Sequence, residues 1–381
     1  MKIAVVSMIR SPWGGSEELW AALATQALKE GHQVFLSAYD CGEVHPKMQQ
    51  LMELGLKVTY RKKVTGAHAG PFRKLMVLGY YFILHRLQGA FHKILKHQPD
   101  IVLYNGTCYS IANDKRLLQE LPEHTRLFII AHYNPDFGNP LTGQESRVVN
   151  EAYARAEKVF FVSQRNLETA RRHLCSDIPN AALVRNPVNM KSTGLVTFPA
   201  GEVAQLAMVG NLLTVHKGQE IAIAALATEQ WRQRLWHLNI YGSGADENYL
   251  RSLCAYYGLQ DKVSFHGRVD DIRALWAQNH LLLMPSLMEG MPLAVVEAML
   301  CGRPCVVTDV GGHKEWITEP KEGFIAEAPS VASFAAAMER AWTEQHRWQE
   351  MGMAAHQKAL SLYDPDPGGA LLKLILESRK Q

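Results

Sequence analysis

The sequence predicts an α/β protein built from two doubly wound, Rossmann-like parallel-sheet domains facing a cleft. Three observations carry this. The chain has 381 residues, more than a single ordinary core accommodates. Short apolar runs suited to buried parallel strands alternate with helical patterns in both halves. Between the halves, residues 190–203 are rich in Ser, Thr, Gly and Pro and show little periodicity. The expected layout is therefore an N-terminal domain over 1–190, a linker over 191–204, a C-terminal domain over 205–360 and a last helical segment over 361–381.

The elements follow in order. Residues 3–8 form the first strand; the run is too short for a signal-peptide core, and no small-residue cleavage site follows it. A helix over about 16–30 takes Ser16 as its N-cap, Leu19, Leu23, Ala27 and Leu28 as its apolar stripe, and Gly31 as its stop. Residues 33–37 and 57–60 are the next strands. A long helix over 72–97 leads to a strand at 101–104, and further strands are expected at 127–130 and 158–162, with an extended piece at 184–188. The second half repeats the alternation with strands at 206–209, 238–241, 263–265, 281–284 and 305–308, and a final helix at about 369–380.

Composition is that of a soluble globular chain, hydrophobic 47% and charged 20%, and no window is apolar and uncharged for long enough to span a bilayer. The cysteines Cys41, Cys108, Cys175, Cys254, Cys301 and Cys305 form no C-x-x-C pair and no His/Cys ligand cluster, which points to a reducing, cytoplasmic setting. Charge is uneven. Residues 1–190 hold 23 Lys+Arg against 16 Asp+Glu, a net +7, whereas the remainder holds 17 against 21, a net −4. No acidic residue stands between Glu53 and Asp100, a stretch carrying Lys57, Arg61, Lys62, Lys63, Arg73, Lys74, Arg86, Lys93 and Lys96 beside the apolar run that contains Tyr80, Tyr81 and Phe82. Amphipathic helices with a solvated basic side are ordinary. The alternative is a peripheral contact of residues 57–97 with anionic membrane, where each cation adds roughly 1 kcal/mol, or a surface for a lipid-linked acceptor.

Residues 284–312 are the most informative stretch. The apolar run 280–284 suits a buried parallel strand, Pro285 and Ser286 end it, and Glu289-Gly290-Met291-Pro292 form the loop at its carboxyl end. Pro292 suits the first helical position, because its missing N–H would be unpaired there. Gly302 closes the helix, and 305–308 is the next strand. Ligands of open α/β sheets bind outside the carboxyl ends of strands, where a helix N-terminus offers free N–H groups to phosphate. Glu289 on the loop and Glu297 in the helix could accept hydrogen bonds from hydroxyls on either side of that phosphate. A nucleotide-sugar has that layout of ribose, diphosphate and hexose.

These residues resemble the retaining glycosyltransferases of family 4, whose fold is called GT-B. Glu289 and Glu297 match the family's E-x7-E motif, and Gly290, Pro292, Ala298, Met299, Gly302, Pro304, Gly311 and Gly312 match the frame around it at fixed spacing. The resemblance implies donor contacts from Glu289, Gly290, Met291, Pro292, Leu293, Ala294 and Glu297. It further implies that Gly14, Gly15 and Glu17, matching GG-x-E, face the donor diphosphate and sugar. His132, at the end of a strand where a lone histidine is usually structural, would hydrogen-bond the transferred sugar. Lys217 matches the lysine that neutralises the leaving diphosphate, but Asn211 stands where an arginine is expected, a neutral amide without the planar fork. Restoring that arginine would either raise turnover or crowd a packed loop. Gly242 falls in a glycine turn near the phosphates, and Arg268 and Val269 in the segment whose main chain contacts the base. Trp13, at a loop tip, is expected to touch substrate, and Asp136 and Glu17 to face the acceptor.

The implied activity is retaining transfer of a hexose-type sugar from a UDP- or GDP-sugar to a saccharide or lipid-linked glycan acceptor, in cell-envelope or exopolysaccharide biosynthesis. His132, Glu289 and Lys217 would act at the reacting centre, by positioning and by stabilising leaving-group charge. No D-x-D motif stands at a strand end, so metal independence is expected, with no cofactor beyond the nucleotide-sugar and no nucleic-acid partner. The setting implied is cytoplasmic, either free or peripheral at the inner face of the membrane. The alternatives are a nucleotide-sugar 2-epimerase or hydrolase on the same fold, or a non-catalytic nucleotide-sugar binding protein; a dinucleotide oxidoreductase is disfavoured because no G-x-G-x-x-G follows the first strand.

Overall fold

A computed structural model describes residues 1–61, 91–136 and 141–378. Seven parallel strands form the first sheet: β1 (Lys2–Ser7), β2 (Gln33–Tyr39), β3 (Lys57–Arg61), β4 (Ile101–Gly106), β5 (Arg126–Ala131), β6 (Lys158–Phe161) and β7 (Ala181–Leu183), in the order β3-β2-β1-β4-β5-β6-β7. Six more form the second: β8 (Ala204–Val209), β9 (Trp236–Tyr241), β10 (Val263–Gly267), β11 (Leu281–Met284), β12 (Cys305–Thr308) and β13 (Gly323–Ala326), in the order β10-β9-β8-β11-β12-β13. Both orders reverse next to the first strand, at β1/β4 and at β8/β11, so each sheet opens a crevice beyond those carboxyl ends. The GT-B architecture is therefore present. The central strands are buried on both faces: Ile3, Val5, Ile101 and Leu103 on one side of the first sheet and Ala4, Val6, Val102 and Tyr104 on the other, with Leu282 and Val307 opposed to Leu283 and Val306 in the second, as helices on both sides of a parallel sheet require.

Several elements differ from expectation. The helix after β1 spans Glu18–Lys29 and is preceded by a separate 3-10 turn, Gly15–Glu17, so Ser16 is not its N-cap. The turn swings the Glu17 carboxylate beneath β1, where Ser7 Oγ donates to both of its oxygens at 3.0 and 2.9 Å. The extended piece expected at 184–188 lies earlier, as β7. Strand β13 is unanticipated, a four-residue run opened by a glycine. Pro292 is the N-cap rather than the first residue of the helix Leu293–Leu300.

Of the long helix expected over 72–97, the described part is the short turn His92–Leu95; Lys62, Lys63, Arg73, Lys74, Tyr80, Tyr81, Phe82 and Arg86 lie outside the described residues. Arg61, counted above among the cations of the acid-free stretch, turns inward. Its guanidinium lies over the rings of Tyr39 and Phe91, at 4.4 and 5.3 Å, and donates to the Ser7 carbonyl. Among the described residues no helix is long and apolar enough to cross a membrane. The cysteines are free; Cys301 and Cys305 are buried as small hydrophobes, whereas Cys175 is exposed at a helix end.

Residues 184–203 carry no helix or strand. Arg303, itself buried, anchors this connection by donating to the carbonyls of Val196 at 3.1 Å and Thr197 at 2.7 Å. The last helix, Pro367–Glu377, packs on Glu18–Lys29 of the first domain so closely that a Cβ on Gly368 would lie 2.6 Å from the Ala22 backbone. Leu371, Leu372 and Ile375 are buried in that contact.

Candidate functional site

The two crevices meet in a cavity of about 410 Å³. From the first domain it is lined by Gly15 and Ser16 after β1, His132 and Tyr133 after β5, and Asn186; from the second by Asn211, His216 and Lys217 after β8 and by Met288 to Met291, Leu293, Ala294 and Glu297 around β11. The helix Leu293–Leu300 starts at this wall with no side-chain cap, so its first amide groups are free to meet an anion. Lys217 Nζ lies 2.6 Å from Glu289 Oε1, and Ser286 Oγ donates to the same oxygen at 2.8 Å. Glu289 is thus held by one cation and one hydroxyl, both built from neighbouring strand ends.

Glu297 is buried and accepts from the Asn189 amide at 3.3 Å. Burial pushes its carboxyl up to about 7, with the Asn189 hydrogen bond pulling weakly the other way.

His132 is buried, and burial lowers its pKa to about 3, so the ring is neutral at physiological pH. Its Nε2 lies 2.7 Å from Asn105 Oδ1. The Asn105 amide in turn donates through Nδ2 to the Ser16 carbonyl at 3.2 Å and to Glu17 Oε1 at 3.0 Å. Glu17 is buried as well, and burial raises its carboxyl to about 7. Strands β1 and β4 supply Ser7 and Asn105 as direct register partners.

The loops interlock across the cleft. A Cβ on Gly290 would lie 1.9 Å from the His132 carbonyl oxygen, so only glycine allows this approach. Asn166 Nδ2 donates to the Glu289 carbonyl at 3.3 Å, Glu315 accepts from the Gln164 amide at 2.7 Å and pairs with Arg185 at 2.9 Å, and Arg165 reaches Asp309 at 3.4 Å.

Of the residues picked out by sequence, His132, Gly15, Asn211, Lys217, Glu289, Gly290, Met291, Leu293, Ala294 and Glu297 line this one cavity. Gly14, Gly242, Pro292, Arg268 and Val269 do not. Gly242 backs the loop of Asn211, since a Cβ there would meet the Gly210 carbonyl oxygen at 1.8 Å. Arg268 reaches across to His45, with Nη2 at 3.4 Å from Nε2, and Val269 packs on the core. Trp13 is a structural residue: its Nε1 donates to Glu18 at 2.7 Å and its ring stacks on His45. Asp136 is paired with Arg165 at 3.1 Å and Thr169 at 2.8 Å, and Glu17 is buried, so neither carboxylate is presented to an acceptor. The loop of Asn211 is packed against Gly242 and Gly244, as expected, but Asn211 itself is exposed. Sequence reading missed Asn105, Ser286, Tyr133 and His216. A polar residue ending an apolar strand, as Asn105 does, was the available signal. Among the described residues no group of three or more His, Cys, Asp or Glu is placed to hold a metal ion.

Residues 204–344 match the family model described as glycosyl transferases group 1. The chain is 33% identical over 97 residues to an uncharacterized glycosyltransferase of Haemophilus influenzae, covering 25% of this chain and 28% of that one. It is 28% identical over 151 residues to the N-acetyl-alpha-D-glucosaminyl L-malate synthase of Bacillus anthracis, covering 39% of each. The chain thus spans less than half the length of these curated relatives. Over its whole length it superposes on Anabaena HepE in complex with UDP-glucose, with TM-score 0.72 at 17% identity and 100% coverage of both chains. At that identity the likeness shows the GT-B fold.

Proposed function

We propose that this chain, which matches the glycosyl transferases group 1 model over its second domain and has a GT-B fold, is a retaining glycosyltransferase. It moves a hexose-type sugar from a UDP- or GDP-sugar to a saccharide or lipid-linked glycan acceptor, in cell-envelope or exopolysaccharide biosynthesis. One observation carries this reading: a single cavity holds Lys217 and a free helix start between two carboxylates, Glu289 and Glu297, with His132 opposite. Diphosphate would sit at the helix start and Lys217, ribose hydroxyls at Glu297, and the sugar between Glu289 and His132.

Charge grows on the diphosphate as the sugar–phosphate bond breaks, so a cation positioned there stabilises the transition state more than the ground state. Lys217 and the helix start supply that charge, and transfer proceeds without a divalent metal on this reading. The acceptor hydroxyl adds from the face the diphosphate leaves, and no carboxylate nucleophile is needed. The structural neighbour from Anabaena, which holds UDP-glucose, supports a nucleotide-sugar donor.

The test is incubation with a panel of UDP- and GDP-sugars and cell extract in the presence of EDTA, with products read by mass spectrometry and NMR. Transfer that keeps the donor's anomeric configuration is expected. Inversion, or release of free sugar alone with every extract, would remove the reading. A lipid-linked acceptor at the inner membrane face predicts salt-sensitive co-sedimentation with anionic vesicles; no sedimentation at low salt leaves the soluble saccharide acceptor.

A further inference from the structure

The start of one first-domain helix is seated in the loops of the second domain. Val162 and Ser163 join β6 to the helix Gln164–Leu174, with Ser163 as its N-cap. Two glycines admit this turn: a Cβ on Gly290 would lie 2.9 Å from Val162 Cγ2, and one on Gly312 would lie 3.1 Å from Ser163 Cβ. Asn166, in the first turn of the helix, then reaches the Glu289 carbonyl with Nδ2 at 3.3 Å. A carbonyl only accepts, so the Asn166 end facing it is the NH2 group. The second hydrogen of that group goes to Asn134 Oδ1 at 2.8 Å. The NH2 of Asn134 is left to donate to the Asn166 carbonyl at 2.9 Å and to the Tyr109 hydroxyl at 3.2 Å. Asn166 Oδ1 accepts from Ser163 Oγ at 2.6 Å. Asn166 and Asn134 are 1% and 3% exposed, and neither lines the cavity. The two carbonyls, of Glu289 and Asn166, thus fix the orientation of both amides, and a fully paired buried network holds a single arrangement.

Two cavity walls depend on that one side chain. Asn134 follows Tyr133 on the first-domain wall, and Glu289 opens the loop of the second-domain wall. The Glu289 carboxylate is held from its own domain, by Lys217 and Ser286, whereas its main chain is held from the other domain by Asn166. Parting the domains would free that carbonyl and leave the ion pair intact. We propose that Asn166 is a positioning residue for sugar transfer: by tying the Glu289 main chain to the loop of Asn134, it sets the Glu289 carboxylate against the donor sugar only while the two domains are together. The inference rests on the transferase reading above, in which Glu289 faces the sugar. It adds a residue that touches no substrate, and it makes the placement of a second-domain carboxylate depend on the first domain. Placement of this kind carries large rate effects, since a shift of about 1 Å costs about 100-fold.

The tie is readable without turnover, by hydrogen exchange and mass spectrometry. Asn166→Ala is expected to speed exchange in residues 132–136 and 286–292 and to leave the strands of both sheets as protected as in wild type. Uniformly faster exchange would make Asn166 a residue of general stability, and unchanged exchange in either loop would break the coupling; both overturn the proposal. Ser163→Ala, which removes the hydroxyl that orients the same carboxamide, should loosen the same two segments to a smaller extent, and it decides the matter if Asn166→Ala does not fold.

Action through Glu289 is tested by a double-mutant cycle in calorimetry, with UDP and UDP-glucose, and GDP and GDP-mannose, as probes. The quantity read is the affinity for the hexose nucleotide divided by that for the nucleoside diphosphate. Asn166→Ala should lower this ratio about fivefold or more in the wild-type background, with UDP or GDP binding nearly unchanged. In the Glu289→Ala background the same change should lower it by less than about twofold, because the group being placed is gone. Equal losses in the two backgrounds would mean that Asn166 does not act through Glu289. Failure of wild type to bind any hexose nucleotide would count against the transferase reading, and the exchange pattern would still decide whether Asn166 ties the two loops.

Discussion

Glu297 lies in the cavity wall with a carboxyl that burial pushes up to about 7, and its replacement tests the proposed ribose contact. Glu297→Ala should weaken UDP or GDP binding by about 1.5–3 kcal/mol, the range for hydrogen bonds to charged groups. Isothermal calorimetry measures it, and unchanged affinity would clear Glu297 of that role. Asn211 offers the opposite experiment. Its exposure leaves room for a longer side chain beside Lys217. An exposed charge contact contributes about 0.2–1 kcal/mol, so Asn211→Arg should raise turnover by a factor of about 1.4 to 5. A fall in turnover would mean that the amide itself holds substrate. The E-x7-E pair was readable as a motif, but the ion pair of Glu289 with Lys217 was not, because the two residues come from different strand ends, 72 positions apart.

At the scale of elements, the loop of Glu289 to Pro292 is held by contact rather than by its own conformation. Gly290 lies against the His132 carbonyl and Gly311, at φ +49°, against the Glu289 carbonyl. Gly290→Ala should force the loop away from His132, at a cost of about 1–3 kcal/mol for an overpacked site. Thermal unfolding together with donor titration should show modestly reduced stability and severely reduced donor binding. Equal, small losses in both would mean that the loop relaxes freely. Strand periodicity placed most of the sheets correctly, since buried parallel strands are continuous apolar runs. It misplaced the start of the helix Glu18–Lys29 because Ser16, a good cap by type, sits inside a 3-10 turn whose purpose is to bury Glu17.

At the scale of the whole molecule, Glu17 and Glu297 couple stability to pH. In the folded chain both carboxyls keep their proton up to about pH 7, whereas the ordinary value is 4.5. The folded state therefore binds more protons than the unfolded one between those values, and stability falls as pH rises through that window. Denaturant unfolding should show lower stability at pH 8 than at pH 5. Glu17→Gln, which has no proton to lose, should narrow that difference by on the order of 1–3 kcal/mol. A pH gap as wide in the variant as in wild type would mean that Glu17 ionises freely in the folded chain.

What the sequence by itself determined was the class of fold, two parallel sheets with a linker, and the one strand–loop–helix motif that carries Glu289 and Glu297 to the cavity wall. Those are local properties: apolar periodicity sets strands and helices, and fixed spacing sets a strand–loop–helix unit. The tertiary structure decided which residues share a cavity, because that depends on strand order. The reversal of both sheets at β1/β4 and β8/β11 brings Ser7, Asn105, Lys217 and Glu289 to the cleft from distant positions. It also buried Glu17, paired Asp136 and folded Trp13 and Arg61 inward. Charge and exposure of a side chain follow from its neighbours in space, which residue type and spacing alone do not specify.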